Sequence, residues 1–196
     1  IIEAKNGWFV AHSFDLGTGK YTAYLGLARG GQPLLVASGP IEVSAIARDA
    51  VGTSKLVLWS DAQILKEQKP LKSPYAFGNL QLVPNPSLTF SNQDELGYFV
   101  EINNPGVDST TLQPKLQMSM ELQSGGKPIS RQPLSEAEVL PLSDKSGVAH
   151  YAIINSIPLS KLSKPLAPGN YTLKMKVLDT VTKQSFTVQE NFKIAG

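Results

Sequence analysis

The chain holds two histidines, His12 and His150, and each closes a Val-Ala-His triplet. Zinc held by imidazoles takes about three or four protein ligands at recognisable spacing, and no cysteine is present to complete such a set. Two histidines far apart in sequence therefore read as strand residues, not as ligands. Gly17-Thr-Gly-Lys20 has the outline of a phosphate-binding loop. The pattern G-x-x-x-x-G-K-[ST] needs Gly at 14 and Ser or Thr at 21, where this chain has Phe14 and Tyr21, so a hairpin turn is expected. Ser124-Gly-Gly-Lys127 satisfies S-x-x-K, whose acyl-transfer chemistry needs a helix start beside S-D-N and K-T-G motifs. Neither motif follows, and a Gly-Gly turn between strands is expected instead.

The acidic groups are scattered. Asn92-Gln-Asp-Glu95 and Asn103-Asn-Pro-Gly-Val-Asp108 are oxygen-rich, and calcium takes roughly six to eight oxygens. Without EF-hand spacing these stretches read as turns. Glu136 and Glu138 share a face of an extended segment, with no other reactive group near them. Asn170-Tyr-Thr172 is a glycosylation sequon, relevant only in a eukaryotic secretory host. No catalytic, cofactor-binding or metal-ligating residue is assigned, no cofactor is expected, and the chain is expected not to be an enzyme.

The elements around these residues have a period of two. Tyr171, Leu173, Met175 and Val177 alternate with Thr172, Lys174 and Lys176, as on a half-buried antiparallel strand. Leu116–Leu122 repeats the pattern, as does Ser185–Val188, followed after a short break by Phe192 and Ile194, and segments 20–28, 34–43, 77–84, 96–103 and 147–157 also read as strands. Only Ser60–Lys69, with a Ser or Asp N-cap and Pro70 as a stop, reads as a short helix. The 14 prolines and 16 glycines fall largely between strands. Short strands separated by turn signals predict an all-β fold, an immunoglobulin- or fibronectin-III-like antiparallel β-sandwich.

Composition narrows the class. The 196 residues are 41% hydrophobic and 17% charged, enough to bury a core without staples. Eighteen Lys and Arg against sixteen Asp and Glu leave a net charge of +2, which excludes a charge-driven nucleic-acid binder. The apolar stretch from Pro33 to Ala47 is broken by Gly39, Pro40 and Glu42, so membrane insertion is not expected. The chain begins at Ile1 without a signal-peptide pattern, and a processed or trimmed N-terminus is the expectation.

An internal repeat organises the chain. Leu16-Gly-Thr-Gly-Lys-Tyr-Thr22 stands against Leu166-Ala-Pro-Gly-Asn-Tyr-Thr172, 150 positions later. Leu27 then matches Val177, and Ile41 and Val43 match Phe192 and Ile194 after a one-residue slip. Both copies read as a turn, a strand opening on Tyr-Thr, and a return strand. The second copy is preceded by five further strand candidates and the first by almost none. The expected division is therefore a partial sandwich module over 1–60, a linker over 61–75, and a complete sandwich over 76–196. The partial module would be truncated, or completed by another chain, by upstream sequence, or by strand material such as Val51–Trp59.

The order of features resembles the C-terminal region of large exported bacterial proteins of the acidobacterial type. There, immunoglobulin-like modules follow a von Willebrand A-related or GWxTD-type domain. The matching segments are Phe14–Ala23, Pro40–Val43, Ser54–Leu58, Pro74–Pro84, Asp94–Asn103 and Leu166–Leu173. The metal-binding D-x-S-x-S of the A domain is absent, Asp144-Lys-Ser146 coming nearest. The resemblance implies an exported module in the extracellular space or cell envelope, and supplies no site. Residues and resemblance together lead to the expectation of a structural or adhesive module engaged in protein–protein assembly. Its partner would be a copy of itself or a neighbouring module of a parent chain. The expected contact residues are Ile1, Ile2, Trp8, Val10, Phe14 and Trp59, with Trp59 the first choice for a ring exposed by design. The alternative is a carbohydrate-binding module with polysaccharide as ligand, which requires two or three coplanar exposed aromatics.

Overall fold

The computed structural model describes residues 2–4, 7–9, 14, 16–44, 50–65, 74–142 and 149–196. Within them the chain is all-β, with one 3-10 turn at Leu159–Lys161. In chain order the strands are β1 (Ile2–Ala4), β2 (Gly7–Phe9), β3 (Gly19–Arg29), β4 (Gln32–Val43), β5 (Gly52–Thr53) and β6 (Val57–Ile64). Then come β7 (Ala76–Phe77), β8 (Leu80–Pro84), β9 (Thr89–Phe90), β10 (Glu95–Asn103) and β11 (Leu116–Ser124). The last are β12 (Lys127–Glu136), β13 (Leu140–Leu142), β14 (His150–Pro158), β15 (Gly169–Asp179) and β16 (Ser185–Ile194).

Two sheets form an antiparallel β-sandwich. One is ordered β13-β14-β10-β6-β8-β7, with β5 added against β10. The other is ordered β12-β11-β15-β16-β9, where β9 joins β16 in parallel and the other neighbours are antiparallel. Alternation decides which side chains meet. Leu96, Tyr98, Val100 and Ile102 of β10 face inward with Leu58 and Ile153. Met118, Met120, Leu173, Met175 and Val177 face them from the other sheet. Each such side chain contributes roughly 1.5–3 kcal/mol on burial. Burial also pushes the Tyr98 phenol up to about 12.

The first sheet is apolar on its outer side as well. Trp59, Leu82, Phe99 and Ala152 form a second cluster there, joined by Tyr75 and Phe77. The Phe99 ring meets Phe77 at 5.1 Å and Tyr75 edge-on at 6.4 Å. Trp59 lies across Gly97, its register partner on β10. A Cβ on Gly97 would stand 1.9 Å from the indole ring, so only glycine leaves the slot the ring fills.

Four expectations are corrected here. The linker expected at 61–75 begins inside β6, which is hydrogen-bonded to β8 and β10. Leu56 and Leu58 are core residues of the complete sandwich, so Val51–Trp59 does not complete the first module. The helix expected over Ser60–Lys69 is strand as far as Ile64, with 66–69 outside the described residues. The polar residues that suggested a helix lie beyond a bulge between Trp59 and Asp61, where β6 leaves β10 and pairs only with β8. Finally, 77–84 is not one strand: Gly78, at φ +61°, turns β7 back onto β8.

Gly97→Ala is expected to lower the unfolding free energy by about 1–3 kcal/mol through overpacking against Trp59. The urea midpoint measures it. A Trp59→Leu background, with a smaller side chain over the slot, is expected to reduce that cost. An equal cost in both backgrounds would remove the indole as its cause.

Candidate functional site

The hairpin β3–β4 is a two-stranded sheet of its own. Among the described residues its two strands pair only with each other. The turn is Gly30-Gly31, at φ +57° and +80°, the two positive φ values a tight hairpin reversal demands. The register sets Tyr21 opposite Ile41, Ala23 opposite Gly39, Leu25 opposite Ala37 and Leu27 opposite Leu35. One face of the ribbon is thus apolar from Tyr21–Ile41 to Leu27–Leu35, and ends at Arg29 opposite Gln32. The other mixes Lys20, Thr22, Ser38 and Glu42 with the exposed Tyr24, Val36 and Pro40, and its Lys20–Glu42 contact of 3.9 Å is exposed and contributes little.

The repeat is reproduced in bonds. The Tyr21 hydroxyl donates to the carbonyl of Gly17 at 2.8 Å. The Tyr171 hydroxyl donates to the carbonyl of Ala167 at 2.7 Å, again four residues back. Tyr21 faces Ile41 as Tyr171 faces Phe192, and Gly19 faces Val43 as Gly169 faces Ile194. The one-residue slip in the sequence match is the net of two differences: a two-glycine turn stands in place of the longer loop after Asp179, and a bulge beside Leu27 lengthens β4 where the β15–β16 register is unbroken.

The two copies differ in what covers them. Tyr171 is 7% exposed and Leu173, Met175 and Val177 are fully buried. Their counterparts Tyr21, Leu25 and Leu27 are 36%, 50% and 43% exposed, and Ala23 is exposed too. On the return strand Ile41 and Leu35 are 40% and 50% exposed, where Phe192 is buried and Phe186 packs against the core. Among the described residues nothing covers this apolar sheet face, which makes it the candidate site.

The contact residues expected from sequence are distributed over several elements. Ile1 and Val10 lie outside the described residues, as does His12. Ile2 and Trp8 are on β1 and β2, opposite Phe9 and Glu3. Phe14 is exposed, just ahead of the hairpin. Trp59, expected as a contact residue and the first choice if a ring were exposed by design, is buried in the outer cluster of the sandwich, where Gly97 opens a slot for it. The hairpin face itself was missing from the expected contact set, although the alternation of Tyr21, Ala23, Leu25 and Leu27 was there to find it.

The remaining motifs serve the fold. Gly125-Gly126 is the β11–β12 turn, at φ +55° and +75°. The Asn92 side chain accepts from the Leu166 amide at 2.9 Å and donates to its carbonyl at 2.8 Å. Asp108 accepts from the amides of Thr110 and Thr111 and from Lys115 Nζ at 2.7 Å. No group of three or more His, Cys, Asp or Glu is placed to hold a metal among the described residues. An open groove of about 560 Å3 runs past Asn170, Thr172, Asn191 and Lys193. Its two rings, Tyr171 and Phe192, are stacked in the core and offer no platform to a sugar. Tyr24 is 78% exposed but lies on the opposite face of the hairpin from Tyr21.

No protein-family model matches the sequence, and no curated protein matches it.

Tyr171→Phe is expected to cost the sandwich about 1 kcal/mol, the usual loss for one buried hydrogen bond. Tyr21→Phe removes the same bond at an exposed site and is expected to leave global unfolding unchanged; equal losses by denaturant titration would contradict the difference in cover. Lys115 and the loop amides hold the Asp108 carboxyl well below the usual aspartate range. Its contribution to the loop is complete above the ordinary aspartate pKa and fades as pH falls toward the lowered one. An NMR titration should find its midpoint below that of free aspartate and moved upward in Lys115→Ala.

Proposed function

We propose that the chain is a non-enzymatic structural module of an exported bacterial protein, assembling with other β-structure through the β3–β4 hairpin. The observation that carries this reading is the exposed apolar face of that hairpin from Tyr21–Ile41 to Leu27–Leu35, built on the pattern that its repeat copy buries. An isolated two-stranded ribbon is marginal in water, so the face and its unpaired edges gain stability only against a partner. The immunoglobulin-type assignment is supported by the strand order, four strands in the sequence β13-β14-β10-β6 against β12-β11-β15-β16, and by the Tyr171 hydroxyl bonded back to Ala167. The exported bacterial setting, in the extracellular space or envelope, rests on the sequence resemblance. The carbohydrate-binding alternative lacks a set of coplanar exposed rings among the described residues.

The variant Leu25→Lys/Leu35→Lys tests the reading. It is expected to lose most of its anilinonaphthalene sulfonate fluorescence while global unfolding stays within about 0.5 kcal/mol, as for surface positions. A loss of several kcal/mol would mean that the face is packed inside the chain's own fold, and would end the proposal.

A further inference from the structure

We infer that the partner of the β3–β4 face is the remainder of a second sandwich, lacking its own closing hairpin and contributed by polypeptide outside this chain. This rests on the reading above that the face is a docking surface, and it adds what docks there. The complete copy supplies the template. There the equivalent hairpin is covered by an apolar sheet whose central strands are β6, β10 and β14, and its leading strand is paired along its free edge by β11. The corresponding demand of β3–β4 has two parts. Its apolar face needs an opposing antiparallel sheet, and the free edge of β3 needs one strand running antiparallel to it.

Size decides against the simpler occupant, the same face of a second copy. A strand of 11 residues is roughly 37 Å long and a two-stranded ribbon roughly 10 Å wide. Two such faces laid together bury on the order of 700 Å², below the roughly 1,200 Å² of a stable association. They would also leave both β3 edges unpaired. Nor does the rest of the described chain meet the demand: β5–β16 are all engaged in the complete sandwich, and β1 pairs with β2. A half-sandwich supplies both the larger face and the missing edge strand.

The test uses the whole chain and a longer one in which residues 50–165 are repeated ahead of Phe14. The added strands have no hairpin of their own, so they fold by capturing β3–β4, while the original sandwich remains as an internal control. For the 196-residue chain alone, light scattering is expected to give a monomer, with β3–β4 amides exchanging freely. In the longer chain those amides should slow at least about 100-fold, as amides do on entering a cooperative unit. Unchanged exchange in the longer chain overturns the inference. A doubled mass with protected hairpin amides in the 196-residue chain overturns it in favour of a second copy, while leaving the docking role of the face standing. Protection in the monomer would instead overturn the docking role itself.

Discussion

A β-sheet with one apolar face has to cover that face, and most of this molecule follows from how the requirement is met. In the sandwich the cover is mutual. The inward residues of β10 and β6 have no reason to be dry except that β11 and β15 lie over them, and the converse holds. The hairpin β15–β16 is central to this arrangement. It lies between β11 and β9, and it supplies Tyr171, Leu173, Met175 and Val177 together with Phe192 and Ile194. Hydrophobic burial is not directional, so something must also hold this hairpin in register.

Buried polar groups do that work at both of its ends. Asp179 is fully buried where β15 ends. One carboxylate oxygen accepts from the Gly106 amide at 2.6 Å, and the other accepts from the amides of Val181 and Thr182 at 2.9 and 3.0 Å. A buried carboxylate is tolerable when amides surround it in this way. A Cβ on Gly106 would stand 2.7 Å from that of Val181, so glycine there lets the 104–108 loop approach the turn. At the opposite end Tyr171 is bonded to Ala167, and its ring stacks on Phe192 at 5.7 Å. Asn92 ties the β9–β10 turn to Leu166 beside it. Asp179, Tyr171 and Asn92 thus have their oxygens and hydroxyl committed to the backbone.

The strands that alternate strictly were legible in the sequence, because burial on one face leaves a period of two. Two other kinds of element were not. β12 is exposed along its whole length and has no apolar face to write a pattern; its prolines, Pro128 and Pro133, fit an edge strand interrupted by bulges. β6 is hidden for the opposite reason. Its first residues are buried on both faces and its last are polar, so it reads as the end of one element and the start of a linker. The fate of Trp59 depends on Gly97, 38 positions along the chain, and no local pattern announces a slot made by a missing Cβ.

The repeat shows where such reading stops for the candidate site. The match of Leu16–Thr22 to Leu166–Thr172 is local, and what it encodes is local: a bend, a tyrosine bonded four residues back, and a strand starting on a set face. Both copies carry out these instructions alike. Whether the face that results lies dry or wet depends on strands remote in sequence, and nothing within the matched residues refers to them. Tyr21 and Tyr171 therefore share an environment in every bond they make to their own segment, and differ only in the sheet that stands opposite. That difference separates a buried sheet face from an exposed one.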